Sequence, residues 1–175
     1  MNAPSAFRLG LLDSIPRLRR YARSLGLNAA RADDLTQQVL ERALLRWQQF
    51  DAQRDLGVWL LSIAHNAHLD ALRRDARLTV IDPAEIQRVQ DAGGGTGTDV
   101  GLRIDLQRAL ARLSPEQREP LLLVCVEQLS YAEVAGVMGI PVGTVMSRVC
   151  RARATLRRFL EGEETAAAPT LRRVV

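Results

Sequence analysis

Residues 130–160 contain the side chains best suited to bind a polyanion. Their sequence predicts a short helix ending near Met138, a turn that contains Gly139 and Gly143, and a longer helix that runs to about Leu160. Residues 141–160 include five arginines and no acidic residue. A short helix, a glycine turn and an arginine-rich helix in this order are typical of a helix-turn-helix motif, whose second helix enters the major groove of DNA.

The last predicted helix is amphipathic, because Val145, Val149, Ala152, Leu156 and Phe159 share one face that must be buried. Side chains at the centre of the opposite face can contact base edges, and arginines beside them can contact phosphates. A solvated helix face is the alternative explanation, but five arginines without a compensating glutamate argue against it. The outer face comprises Gly143, Ser147, Cys150, Arg151, Ala154 and Arg158, flanked by Thr144, Arg148, Arg153 and Arg157.

The rest of the chain offers no comparable arrangement for catalysis. His65 and His68 lie three residues apart and could share a metal ion, but no further ligand stands at a suitable spacing, so we expect no metal site. The GGGTG run at 93–97 follows no strand, which argues against a nucleotide-binding loop. We therefore expect a protein that is not an enzyme, needs no cofactor and has no small-molecule substrate.

The composition favours a cytoplasmic protein with a substantial core. The chain has 175 residues, of which 47% are apolar. No apolar run approaches the roughly 18 residues of a membrane span, and the first residues do not resemble a secretory signal. Two cysteines are too few for a disulfide framework, and Cys125 is expected to be a small buried apolar residue.

Charge is unevenly distributed along the chain, which carries a net +4. Residues 1–77 contain 12 arginines against 8 acidic residues, and residues 102–160 contain 9 against 5. Between them, residues 78–101 contain 1 arginine against 4 acidic residues and include the GGGTG run. Two basic blocks separated by an acidic, glycine-rich stretch indicate two modules that meet a polyanion and are joined by a flexible linker.

Apolar residues recur at helical spacing and no segment alternates with period two, which predicts an all-α fold of two small helical domains. Residues 1–77 would form helices at about 7–25, 29–50 and 58–77, with a kink or break at Pro16 and a polar loop at 51–57. The expected inward-facing residues are Leu35, Val39, Ala43 and Trp47 in the second helix, and Trp59, Ile63 and Ala67 in the third.

The second domain, 102–160, would begin with a helix at 102–113, after a linker that has room for a short helix at 83–90. Ser114 and Pro115 mark the start of the next helix, which would extend to about residue 127 with a bend at Pro120. Ser130 and Glu133 form a capping box at the start of the short helix. The tail at 161–175 is predicted to be disordered.

Several segments resemble, in the right order, those of one protein family. The stretch LSYAEVAGVMGIPVGTVMSRVCRARATLRR at 129–158 is similar to region 4 of the extracytoplasmic-function (ECF) sigma factors of bacterial RNA polymerase, and LSPEQREPLLL at 113–123 adds to the match. RADDLTQQVLERAL at 31–44 resembles region 2.2, and WLLSIAHNAHLDALRRDAR at 59–77 resembles regions 2.3 and 2.4. The resemblance implies a sigma region 2 helical bundle at 1–77 and a region 4 helix-turn-helix at 102–160.

The resemblance further implies that the second helix docks on the β′ clamp helices of core RNA polymerase. Without the family, a solvated helix face with i,i+4 pairs would explain the same residues. The implied contact residues are Asp34, Gln37, Gln38, Glu41, Arg42 and Leu44.

The loop and the third helix lie where the family captures the −10 promoter element. Promoter melting extrudes a base from the stack and holds a single strand, which requires a polar pocket beside a cationic helix. Asn66 can contact a base edge there, although a helix end favoured by the macrodipole explains the arginines at 73–77 equally well. The implied residues are Gln53, Arg54, Asp55, Asn66, Asp70, Arg73, Arg74 and Arg77.

In the second domain, the resemblance implies contacts with the −35 element. Tyr131 could instead pack between the two short helices. The chain departs from the family pattern at Met146, which replaces a basic residue, and also at Cys150 and Gln38. The implied base contacts are Ser147, Cys150 and Arg151, and the implied phosphate contacts are Tyr131, Thr144, Arg148 and Arg153.

The function that the resemblance implies is that of an alternative sigma factor, whose partners are core RNA polymerase (β′ clamp helices and β flap), promoter DNA and an anti-sigma factor. One alternative is a sigma-like decoy that titrates an anti-sigma factor, but retention of Asn66, Arg148 and Arg151 argues against it. A conventional helix-turn-helix repressor is another alternative, in which the first domain would have no role.

Overall fold

A computed structural model describes residues 3–78 and 108–160, with side chains for 3–75 and 108–160. Within these ranges the regular elements are all helical, which confirms the predicted all-α class. The predicted linker from residue 79 on, most of the helix predicted at 102–113 and the tail at 161–175 lie outside the described residues, as does the side chain of Arg77.

Three α-helices form the amino-terminal half. The first passes through Pro16 without a break. The second begins as predicted at Asn28, whose side chain accepts a hydrogen bond from the Arg31 amide (2.9 Å), but it ends earlier than residue 50 because the backbone tightens into a short 3-10 helix. The bounds are Ser5–Ser24 for α1, Ala29–Leu45 for α2, Trp47–Gln49 for the 3-10 helix and Leu56–Leu78 for α3.

The buried face of α3 differs from the predicted one. Leu60, Leu61 and Ala64 are buried together with Ala67. Trp59 and Ile63 do pack against this core, as predicted, but they are only half buried and lie at its edge. The reason is that α3 is covered on two sides, by the amino-terminal helices and by a helix of the other half. In α2, the predicted residues Leu35, Val39 and Ala43 are buried, and Trp47, beyond the helix end, is half buried.

The carboxy-terminal half contains α4 (Pro115–Cys125), α5 (Tyr131–Met138) and α6 (Val142–Leu160). Both hydrogen bonds of the predicted capping box between Ser130 and Glu133 are present, and α5 ends at Gly139 in the left-handed conformation (φ +65°). Ser114 occupies the N-cap position of α4 but makes no side-chain capping bond.

Cys125 corrects a prediction, because it is exposed rather than buried. It is the last residue of α4, one position before the exposed Val126, and Arg153 Nη2 lies 4.0 Å from its sulfur.

The two halves pack against each other through α3 and α5, and their apolar side chains form one continuous core. A buried carboxylate, that of Glu119 on α4, joins them. Its Oε1 accepts a hydrogen bond from the Tyr21 hydroxyl (2.5 Å) and lies 2.6 Å from His65 Nδ1. Burial, reinforced by the Glu119 carboxylate, holds the pKa of Tyr21 well above its usual value, so this hydroxyl stays protonated and donates.

A second ionic contact lies at the edge of this interface. Arg17 Nε of α1 donates to Glu127 Oε2 (2.6 Å), while Glu127 Oε1 is buried without a hydrogen-bond partner among the described residues and faces Arg20 Nε at 3.7 Å. Arg17 Nη1 also lies 3.9 Å from Asp55 Oδ1 in the loop before α3. A side-chain carbon at Gly57 would lie only 2.1 Å from that same nitrogen, so glycine leaves the room that Arg17 occupies.

The Glu119→Ala substitution should lower the free energy of unfolding by about 3 kcal/mol, because it strands the buried Tyr21 hydroxyl and His65 ring without their acceptor. Urea unfolding followed by circular dichroism measures this. The matched control is Glu116→Ala on the same helix, whose side chain is 75% exposed and should cost no more than about 0.5 kcal/mol. Equal unfolding midpoints for the two variants would contradict a stabilising role of Glu119.

His68 should make stability depend on pH. Burial lowers the pKa of His68, an effect that the nearby Glu119 opposes and that His65 and Arg118 reinforce. Below a pH of about 6.5 the unfolded chain binds a proton that the folded chain does not. Lowering the pH from about 7 to about 5 should therefore lower the free energy of unfolding. His68→Gln should flatten this slope in urea unfolding series, and an identical slope in both proteins would refute the assignment.

Candidate nucleic-acid interface

The outer face of α6 lies open to solvent along its length. Val145, Val149 and Ala152 are buried and Leu156 and Phe159 are half buried, so the core side of this helix lies where the sequence predicts it. The guanidinium group of Arg112 covers the Phe159 ring at 5.5 Å. The exposed residues of the outer face are Gly143, Ser147, Cys150, Arg151, Arg153, Ala154, Arg157 and Arg158, with Thr144 and Arg148 half buried.

Arg151 and Ser147 form a local hydrogen-bonded pair on this face. Arg151 Nε donates to the Ser147 carbonyl (3.2 Å) and Nη2 to Ser147 Oγ (3.4 Å), so the guanidinium lies back along the helix toward its first turns. Ser147 Oγ in turn donates to the Thr144 carbonyl (3.0 Å). The guanidinium keeps further N–H groups that make no hydrogen bond to Ser147, and such groups are the donors that arginine uses toward base edges in other proteins.

The flanking residues have partners within the protein. Arg148 Nη2 lies 3.4 Å from Glu116 Oε2 on α4. Tyr131 is half buried and packs against the core, which supports the packing role considered for it. A phosphate contact by Arg148 would therefore compete with its ion pair to Glu116 within the carboxy-terminal half.

A cleft of about 170 Å³ lies beside Asn66 on α3. Asn66 Nδ2 donates to the Ser62 carbonyl (2.8 Å), which orients the amide and leaves its oxygen as an acceptor. Of the residues that line the cleft, Asn66 and Arg42 are among the expected site residues. Arg46, Gln49, Trp59, Ser62 and Ile63 are not, although Ser62 and Trp59 lie four and seven residues before Asn66 and thus on its helix face.

Aromatic rings anchor both ends of the loop at 51–55. Phe50, before the loop, and Trp59, after it, have ring centroids 5.2 Å apart, and Phe7 contacts both. Asp55 caps α3 by accepting from the Val58 amide (2.9 Å). Gln53 and Arg54 are exposed. The capping bond gives Asp55 a structural role besides the implied contact with DNA.

Further along α3 the cationic side chains surround one carboxylate. Asp70 lies 3.5 Å from Arg42 Nη1 of α2 and 3.9 Å from Arg73 Nη1. Arg73 and Arg74 are exposed, so both are accessible to a phosphate. The structure thus brings Asn66, Asp70 and Arg42 onto one surface that joins α2 to α3.

The residues expected to bind core polymerase share one side of α2. Gln37 Nε2 donates to Glu41 Oε1 (3.0 Å), the i,i+4 pair that a solvated helix would also form. Leu44 and Leu45 are exposed apolar residues at the end of this surface, and Leu45 was not anticipated from the sequence. Asp34, Gln37, Glu41 and Leu44 are exposed, whereas Gln38 and Arg42 are half buried.

The described residues include no group of three or more side chains that could hold a metal ion. His65 instead contacts the Glu119 carboxylate. Among the same residues, no helix is long and apolar enough to cross a membrane.

Comparisons with known proteins agree with this arrangement. Residues 103–156 match the family model described as Sigma-70, region 4, and residues 11–65 match the Sigma2 domain of PhyR. The chain is 35% identical over 161 residues to the ECF RNA polymerase sigma factor EcfG of Rhodopseudomonas palustris, a match that covers 91% of this chain and 88% of the relative.

Solved structures show the same architecture. The sigma factor RpoE of Bartonella quintana, in complex with the anti-sigma factor NepR, superposes with a TM-score of 0.77 at 28% identity over 92% of this chain and all of that one. CnrH, in complex with the cytosolic domain of CnrY, superposes with a TM-score of 0.64 at 28% identity over 91% of this chain and 90% of that one. The chain therefore belongs to the ECF sigma factors, the alternative sigma factors of bacterial RNA polymerase.

Proposed function

We propose that this chain directs promoter-specific transcription through three of its surfaces. α2 binds the β′ clamp helices of core polymerase, α3 and the loop at 51–55 bind and open the −10 element, and α6 binds the −35 element, with the β flap as a second contact. The observation that carries the proposal is the cleft at Asn66, which lies on the same chain as the exposed cationic face of α6. The chain itself catalyses no reaction and acts in the cytoplasm.

The cleft has the chemistry that a single flipped base needs. Trp59 offers an aromatic surface, Arg42 and Arg46 supply positive charge for a phosphate, and the Asn66 amide oxygen can accept from a base edge. Asn66 would therefore discriminate between bases, whereas the arginines would hold any strand.

The packing of the two halves bears directly on promoter binding. His65, the neighbour of Asn66, contacts Glu119 on α4, and α4 packs along α6, which is only about 28 Å long. Two promoter boxes separated by one and a half to two helical turns lie about 50–70 Å apart. Binding both boxes at once therefore requires α4–α6 to separate from α1–α3. Residues 79–107 are long enough for this, because 29 residues span at most about 100 Å when fully extended. We infer two domains, 1–77 and 102–160, that separate on the polymerase.

An anti-sigma factor would act on the packed form. The solved structures of RpoE and CnrH are complexes, with NepR and with the cytosolic domain of CnrY. By analogy, we propose that a protein of this class binds across α1–α3 and α4–α6 and keeps them together, because separation is what promoter binding demands.

Transcription in vitro with core polymerase lacking any sigma factor tests the proposal. On sheared DNA of the source organism, the protein should produce discrete transcript starts that share two upstream boxes.

Asn66→Ala should reduce open-complex yield, because the base loses its acceptor. Arg151→Ala should weaken −35-dependent initiation about ten- to a hundredfold, as expected for loss of one bidentate base contact, with core binding retained.

The matched control is Arg23→Ala, which removes the same charge from α1, outside the proposed surfaces. Loss of core binding in Arg151→Ala would show that α6 has been assigned to the wrong partner. A well-folded protein with neither transcripts nor core binding would instead favour the decoy function, to which the match with the PhyR domain draws attention.

A further inference from the structure

Two large apolar side chains lie exposed in the first two turns of α6. Val142 is 42% exposed and Met146 is 52% exposed. Four residues separate them, so they lie one above the other on the same side of the helix, and the exposed Cys150 continues the line by one more turn. The arginine-rich helix thus presents an apolar line, formed by Val142, Met146 and Cys150.

A polar line runs beside the apolar one. Gly143, Ser147 and Arg151 each follow a member of the apolar line by one residue, and hydrogen bonds already join Ser147 to Arg151. Over residues 142–151 the outward surface of α6 therefore has apolar groups on one side and the Ser147–Arg151 pair on the other. Farther along the helix, the exposed Arg153 and Arg157 follow on the apolar side.

The surroundings of the apolar line restrict what it can bind. Residues 141–160 contain five arginines and no acidic residue, so the partner of this surface is a polyanion. The major groove of DNA exposes one apolar group, the C5 methyl group of thymine. Met146 suits such a contact, because its unbranched, flexible side chain adapts to the depth of a groove.

We propose that Met146, supported by Val142, recognises the C5 methyl group of a thymine in the −35 element, on either strand. This inference rests on the proposed function of α6 and adds a specificity-determining residue to it.

Replacement of thymine by deoxyuridine tests the proposal, because it removes only the methyl group. Promoters mapped by transcription with the full-length protein and core polymerase would be rebuilt with deoxyuridine at each −35 thymine in turn. With the wild-type protein, initiation should fall about fourfold when deoxyuridine stands at one particular −35 position. This is the factor expected for the loss of one buried methyl group. Deoxyuridine outside the −35 element should have no effect.

Variants of Met146 connect this effect to the residue. Met146→Leu should keep the preference for thymine, and Met146→Gln, similar in size but polar, should lose it. Leu160→Gln is the matched control, because Leu160 is a 64% exposed apolar residue at the far end of the same helix; it should leave the preference unchanged.

The outcomes separate this inference from the proposed function. Normal initiation by the wild-type protein with equal use of thymine and deoxyuridine, or a −35 element without thymine on either strand, would overturn the methyl contact and leave the sigma function intact. A preference that survives in Met146→Gln would overturn the assignment to Met146. Loss of core binding in Met146→Gln would mean that the apolar line binds protein, and a lack of transcripts altogether would overturn both proposals.

Discussion

The buried carboxylate of Glu119 constrains the whole arrangement. It can leave water only where donors replace its hydration, and those donors, the Tyr21 hydroxyl and the His65 ring, belong to the other half of the chain. The contact fixes how the halves meet, yet a buried polar group adds less to stability than an apolar one of the same shape. Within the continuous apolar core, this contact therefore contributes more to the geometry of the interface than to its strength.

One helix, α3, carries both part of this interface and the cleft proposed to bind the promoter. On α3, Asn66 and Ser62 line the exposed cleft, whereas His65 contacts Glu119 of the carboxy-terminal half. The two faces are adjacent along the same turns, so removal of α4–α6 changes the environment of the residues next to the cleft. The surfaces proposed for polymerase and for DNA also meet there, because Arg42 of α2 lies 3.5 Å from Asp70 of α3.

Local chemistry made much of the fold predictable. The Asn28 cap and the Ser130–Glu133 capping box depend on residues a few positions apart, and both are found. Contacts between distant segments leave no such pattern in the sequence. Glu119 and Glu127 look like any charged residue of an amphipathic helix, and the burial of α3 depends on a helix far along the chain. The prediction that Cys125 is buried failed for the same reason, because an apolar run does not show which of its residues other helices cover. In the site, helix periodicity identified the outer face of α6, but the cleft required α2 and α3 to be placed side by side.

Gly57 has a consequence beyond its own helix. The room that its missing side chain leaves is filled by Arg17, which contacts Asp55 in the loop and Glu127 in the other half. Any larger residue at 57 would displace a flexible guanidinium rather than distort α3, so the damage would appear at Glu127, seventy positions away. The packing at Gly57 is thus coupled to the contact between the two halves through a single side chain, that of Arg17.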